Sequence, residues 1–346
     1  MRVTRRVLEL FVLVVAALLA GGATPAAAQG TLVVYCSVLV DWCQLAAVEF
    51  ERATGIKVTV SQKGSGETFA QLRAEAANPR GDVWWGGTGD PHLQAAEAGL
   101  TEVYRSPRLG ELHPWAQRQA EQSGHRTVGI YAGALGFAVN TEVLARKRLP
   151  EPRCWQDLLR PEYKDEVQIS NPGSSGTAYT AVATLVQLMG EEPAFAYLKA
   201  LHKNVNQYTR SGPAHARNTA RGETTVGVMF LHDAVAEAVA GFPVKTIAPC
   251  EGTGYEIGSM SLIKGGRNAD NARKWYDWAL TAEAQALAAR AKSYQVPSNR
   301  SAPVPARAPR LADVKLIDYD FARYGQSAER KRLIERWERE VGSQPR

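Results

Sequence analysis

Apolar and polar positions alternate along the chain in two periods. Thr31 to Ser37 is a valine-rich run of strand length, Gln44 to Arg52 carries apolar residues at helical spacing, and Lys57 to Ser61 returns to strand alternation. Short connections between these segments predict a β-α-β opening and hence parallel strands, since a parallel pair needs a crossover. Gly64-Ser65-Gly66-Glu67 leads into a helix over FAQLRAEAAN, and Asp82 to Gly87 returns to a strand ending in glycines. Val128 to Asn140 reads as extended chain, too long for one ordinary strand and interrupted by glycines, and predicts a crossing into a second lobe. A helical unit follows around Pro152, Trp155, Leu158 and Leu159. A strand at Val167, helices from Thr177 and over Pro193 to His202, and a strand over Thr225 to Leu231 then build another α/β layer. Val244 to Cys250 is expected to cross back, Ala269 to Ala291 to form one long helix, and the proline-rich Ser301 to Arg310 to run extended before a last amphipathic helix. The expected fold is α/β with two lobes, mixed sheets flanked by helices and a cleft between the lobes. Lobe 1 is expected over 29–130 and 253–297, and lobe 2 over 131–252 and 298–346.

Composition bounds the function. A chain of 346 residues, 45% hydrophobic and 22% charged, is ordinary for a globular protein. The net charge of +6 comes from dispersed Lys and Arg, and the densest run, Glu329 to Glu340, mixes both signs; this argues against nucleic acid and modestly favours anionic solutes. Residues 1–28 have a basic start, an apolar stretch and Ala26-Ala27-Ala28, the pattern of a cleavable signal peptide for export, and the apolar stretch is short for a membrane span. Four cysteines in an exported chain imply two disulfides among three pairings, of which Cys36–Cys43 with Cys154–Cys250 is preferred. No CxxC or HxxxH spacing points to a metal.

Candidate chemistry gathers at strand ends, where open α/β sheets bind ligands. EVQISNPGSSGTAY turns from a strand onto a helix, so Ser174, Ser175, Gly176 and Thr177 could hold an anion on unpaired backbone N–H groups, or a serine could simply cap the helix. Ser37 ends the first strand. Ser65 and Glu67 open a second such helix, with the same alternative. Trp85 and Gly87 could form a ligand wall and a close backbone approach, or the tryptophan could be core. His232-Asp233 ends a strand and starts a helix, and Glu251 stands among glycines at the expected return crossing; capping and surface roles compete with ligand contact.

Together LVVYCS, GDVWWGG, SNPGSSGTAY, HDA and EGTG, in that order over essentially the whole exported chain, resemble periplasmic solute-binding proteins of bacterial ABC importers, of the ferric-binding-protein type. The resemblance implies a type II-like periplasmic-binding-protein fold, a monomer that closes on a small solute and hands it to a membrane permease, with no cofactor and no catalysis. Ferric-binding members carry an adjacent tyrosine pair where this chain has Met229 to Asp233, which argues against iron. The His-Asp pair and Glu251 resemble instead the hexose-phosphate-binding subgroup, implying a phosphate on the helix ends and sugar hydroxyls on His232, Asp233 and Glu251. An aminoalkylphosphonate is the rival solute. An exported phosphatase or esterase is the rival class, and it lacks GxSxG, HExxH and P-loop signatures.

Overall fold

Valine and tyrosine suit a pleated, buried surface, and β1 (Thr31–Cys36) forms accordingly at the centre of a parallel trio. It is flanked by α1 (Val40–Thr54) and pairs in parallel with β2 (Lys57–Gln62); after α2 (Ser65–Ala74) it also pairs in parallel with β3 (Val83–Trp85). This is the β-α-β opening expected from the sequence. The computed structural model describes residues 30–346, so the expected signal peptide lies outside the described residues. Next come α3 (Gly89–Glu97), α4 (Pro114–Gln122) and β4 (Val128–Asn140).

β4 is one continuous strand of 13 residues, buried throughout, and it belongs to both sheets. Its first part, Val128 to Ala134, pairs antiparallel with β9 (Tyr255–Leu262), and its second part, Leu135 to Asn140, pairs with β7 (Val226–Phe230) and β8 (Val244–Ile247). Between them in sequence lie α5 (Thr141–Lys147), β5 (Val167–Ser170), α6 (Gly176–Met189), α7 (Glu191–His202), β6 (Val205–Thr209), α8 (Gly212–Ala220) and α9 (Leu231–Val239). The chain ends with α10 (Ala269–Ala279), α11 (Ala282–Arg290), β10 (Val296–Pro297), α12 (Phe321–Tyr324) and α13 (Ser327–Trp337). The strand order is β2-β1-β3-β9-β4-β7-β5-β6, with β8 and β10 also on β4.

Two expectations need correction. The strand that returns to the first sheet is β9, whereas Val244–Ile247 pairs with the far end of β4 within the second. The stretch Ala269 to Ala291 is two helices, because Thr281 caps the second one, its Oγ1 accepting from the Ala284 N–H at 3.1 Å. Two large apolar cores result. One contains Phe50, Trp85 and Trp275 over the β1 sheet, and the other contains Phe137, Trp155, Phe195 and Trp337 over the β7 sheet. Both preferred disulfides, Cys36–Cys43 and Cys154–Cys250, are formed.

Candidate functional site

The cleft between the sheets is built from helix beginnings. The first turns of α2 (Gly64, Ser65), α6 (Ser175, Gly176, Thr177) and α8 (Gly212, Pro213), and the Gly87-Thr88 turn into α3, line it together with Ser37 after β1. The first N–H groups of a helix have no intrahelical acceptor and lie at the positive end of its dipole, so four such ends aimed into one cleft make a field for an anion. Ser175 occupies the cap position of α6, yet its side chain makes no capping bond. The lining atoms leave about 450 Å³ of empty space, part of it continuous with solvent.

The lobes touch across this cleft. The Glu67 N–H donates to the Ser174 carbonyl at 3.2 Å, and the Arg210 guanidinium pairs with the Glu67 carboxylate at 3.0 Å. Glycine is required for this approach: a Cβ on Gly66 would stand 2.5 Å from the Gly173 oxygen, and one on Gly176 would overlap Thr88 Oγ1.

A second group of lining residues is acidic. β7 ends at Phe230, and the first turn of α9 presents His232 and Asp233; Glu256 joins them from β9. All three side chains are buried, with His232 Nε2 3.7 Å from Asp233 Oδ1 and 3.6 Å from Glu256 Oε1. Burial pushes Asp233 up to about 7, helped by nearby Glu237 and opposed by Arg217. Burial, then Asp233 and Asp90, push Glu256 well above the usual carboxylate range. Burial also pulls His232 down to about 3, leaving it neutral, and its Nδ1 has no hydrogen-bond partner among the described residues. A neutral imidazole beside two carboxyls held toward their protonated forms can both donate to and accept from hydroxyl groups. Tyr131 links the two groups, its hydroxyl accepting from the Gly87 N–H at 3.1 Å while burial, then Glu256, raises its pKa well above the usual phenol range and keeps it protonated.

Of the residues singled out in the sequence, Ser37, Ser65, Gly87, Ser175, Gly176, Thr177, His232 and Asp233 line this cleft. Four lie elsewhere. Trp85 is in the apolar core, edge-on to Trp42 and Trp275, because strand alternation turns it away from the ligand side. Ser174 donates its hydroxyl to the Arg210 carbonyl at 2.9 Å, and Glu67 lines the outer groove with Arg210. Glu251 caps a turn, accepting from the N–H groups of Trp155 (2.8 Å) and Gln156 (3.1 Å) beside the Cys154–Cys250 bridge. Sequence reasoning missed Tyr131, the α8 turn, Glu256 and Gln295. The signal for Glu256 was a lone acid inside the otherwise apolar YEIGSMSL strand.

Two α/β layers that share β4 and face each other across a polar cleft define a solute receptor of the periplasmic-binding-protein fold. The chain belongs to the bacterial extracellular solute-binding protein family, whose sequence pattern matches residues 90–324. It is 49% identical to the periplasmic binding protein AfuA from Actinobacillus pleuropneumoniae, solved with fructose 6-phosphate bound, at a TM-score of 0.89 covering 91% of this chain and 100% of that one. It is 41% identical to the periplasmic binding protein P5PA, at a TM-score of 0.88 covering 90% and 100%. An uncharacterized Haemophilus influenzae protein is 49% identical over 330 residues, 94% of this chain and 95% of that protein.

Proposed function

We propose that the protein is the periplasmic receptor of an ABC importer, that it captures a sugar phosphate between its lobes, and that it delivers the solute unchanged to a membrane permease. The observation that carries this reading is the division of the lining. Ser37, Ser65, Thr88, Ser175 and Thr177 with four helix beginnings suit a phosphate, bound by charge-assisted hydrogen bonds. His232, Asp233 and Glu256 suit hydroxyls, to which they can both donate and accept. AfuA, with fructose 6-phosphate in its solved structure, supports the same solute class. A ferric ion fits poorly: Tyr131 is the one phenol lining the cleft among the described residues, and burial opposes its ionisation.

The two buried carboxyls also favour a second reading, an aminoalkylphosphonate whose ammonium would ionise them. Calorimetric titration of the exported chain with fructose 6-phosphate, 2-aminoethylphosphonate and inorganic phosphate separates the two. Micromolar or tighter binding of the sugar phosphate, about −8 kcal/mol, is expected, with inorganic phosphate weaker. Asp233→Ala and Glu256→Ala should each weaken it at least tenfold, about 1.4 kcal/mol, whereas Glu251→Gln should leave affinity unchanged. Asp233→Asn retains most sugar-phosphate binding if the carboxyl acts as a neutral partner, and abolishes binding of an ammonium ligand. Absence of sugar-phosphate binding overturns the proposal.

A further inference from the structure

α13 carries a buried charge directly behind the anion cradle. Arg330 is 5% exposed, lies 4.8 Å above the Tyr179 ring, and donates from Nη2 to the carbonyls of Pro172 (3.3 Å) and Gly173 (3.1 Å). Those carbonyls belong to the turn that delivers Ser175, Gly176 and Thr177 to the cleft, a turn braced internally by Asn171 Oδ1 accepting from the Gly173 N–H at 2.8 Å. An isolated buried guanidinium is costly, so it needs a counter-charge. Among the described residues no carboxylate lies within direct ion-pairing distance of it, and the buried carboxyl whose charge acts on it belongs to the other lobe.

That carboxylate is Asp90, 2% exposed in the first turn of α3, two residues after Thr88 of the cleft. Its Oδ2 accepts from the Tyr319 hydroxyl at 3.3 Å, and burial, opposed by Arg330, pushes it up to about 7. Asp90 Oδ1 and Arg330 Nη1 are both buried without hydrogen-bond partners among the described residues. The rest of α3 docks on the same carboxyl-terminal segment: Glu97 Oε2 accepts from the Ser327 N–H at 2.7 Å, and Leu93 packs so closely on Gly325 that a Cβ there would stand 2.7 Å from its Cδ1. Separating the lobes would return Asp90 to water and leave Arg330 without its counter-charge.

We propose that Arg330 is a positioning residue of the anion site: it holds the 171–175 turn from behind and, through its charge and not through a direct ion pair, favours the approach of buried Asp90 on the opposite lobe, so that lobe closure and cradle assembly are one event. The inference rests on the anion-binding reading above. It is tested by a double-mutant cycle on the exported chain with fructose 6-phosphate as probe. Arg330→Met is expected to weaken binding at least tenfold and Asp90→Asn less. The double variant should recover part of the loss, because the buried carboxyl no longer lacks its cation. Strictly additive losses, or unchanged affinity in Arg330→Met, overturn the proposal. Should Arg330→Met not fold, Arg330→Lys takes its place in the cycle, since it keeps the charge and loses the two-carbonyl fork. Hydrogen exchange of the ligand-free protein gives a readout that needs no solute. Faster exchange in both residues 89–97 and 171–176 of Arg330→Lys supports the coupling even if wild-type protein binds no sugar phosphate, which would sink only the functional reading. Faster exchange in 171–176 alone makes the role local and overturns the proposal.

Discussion

At the scale of single residues the cleft is governed by buried titratable groups. Asp90 and Asp233 are pushed up to about 7, so the folded protein keeps protons that unfolded carboxyls release near pH 4. Their contribution to stability is complete in acid and lost as the pH rises through about 7. Buried His92 and His232, pulled down to about 3, and His215, pulled down to about 4, act with the opposite sign below about pH 6.5, where unfolded histidine binds a proton and these do not. The ligand-free protein should therefore gain melting temperature on acidification from about pH 8 to 6.5 and level off or fall below that; a thermal series in which it melts higher at pH 8 than at 6.5 contradicts the assignment. The same groups show what a sequence discloses. His232 and Asp233 were legible because a strand-to-helix junction announces itself locally. Glu256 was not, since its partners are set by the pairing of β9 with β4, and Glu251, four residues after β8, drew the attention instead.

Elements carry the closure. The helix openings at Ser65 and Ser175 could be read from glycine-serine turns followed by apolar periodicity, and both are where the pattern put them. The α8 opening was not recognised, although Ser211-Gly212-Pro213 has the proline expected in a first turn. Which strand returns to the first sheet was equally hidden, because register is decided by long-range partners and not by the run of apolar residues. The contact between α2 and the turn before α6 leads to a sharp expectation. Gly66→Ala should fold with little change in melting temperature, because its obstacle is the Gly173 carbonyl across the cleft and not its own lobe, yet weaken solute binding at least tenfold in the same titration, about 1.4 kcal/mol. Normal affinity in Gly66→Ala would show that the lobes need not approach this closely.

For the whole molecule, two cores and two disulfides divide the work. Cys154–Cys250 spans 96 residues, and removing it relaxes the unfolded chain by about 4–5 kcal/mol, against about 2–3 kcal/mol for Cys36–Cys43 with its separation of 7. Replacing the first pair by serine should lower the melting temperature more, while replacing the second should lower affinity more, because it frees Ser37 and the adjoining cleft loop; equal effects on both measurements would refute this division. Overall architecture was the most legible level, since alternating strands and helices leave few ways to fold, and order of motifs did the rest. One feature of β4 reaches further. It passes from one sheet to the other between Ala134 and Leu135, and the neighbouring Gly133 faces the ring of His232, where any added Cβ would collide. On the proposed reading, the strand shared by both lobes is also part of the solute's seat. If the proposed sugar-phosphate reading holds, a compound that keeps the phosphate but carries bulk at its other end would wedge the lobes ajar, which is a recipe for an antagonist of uptake.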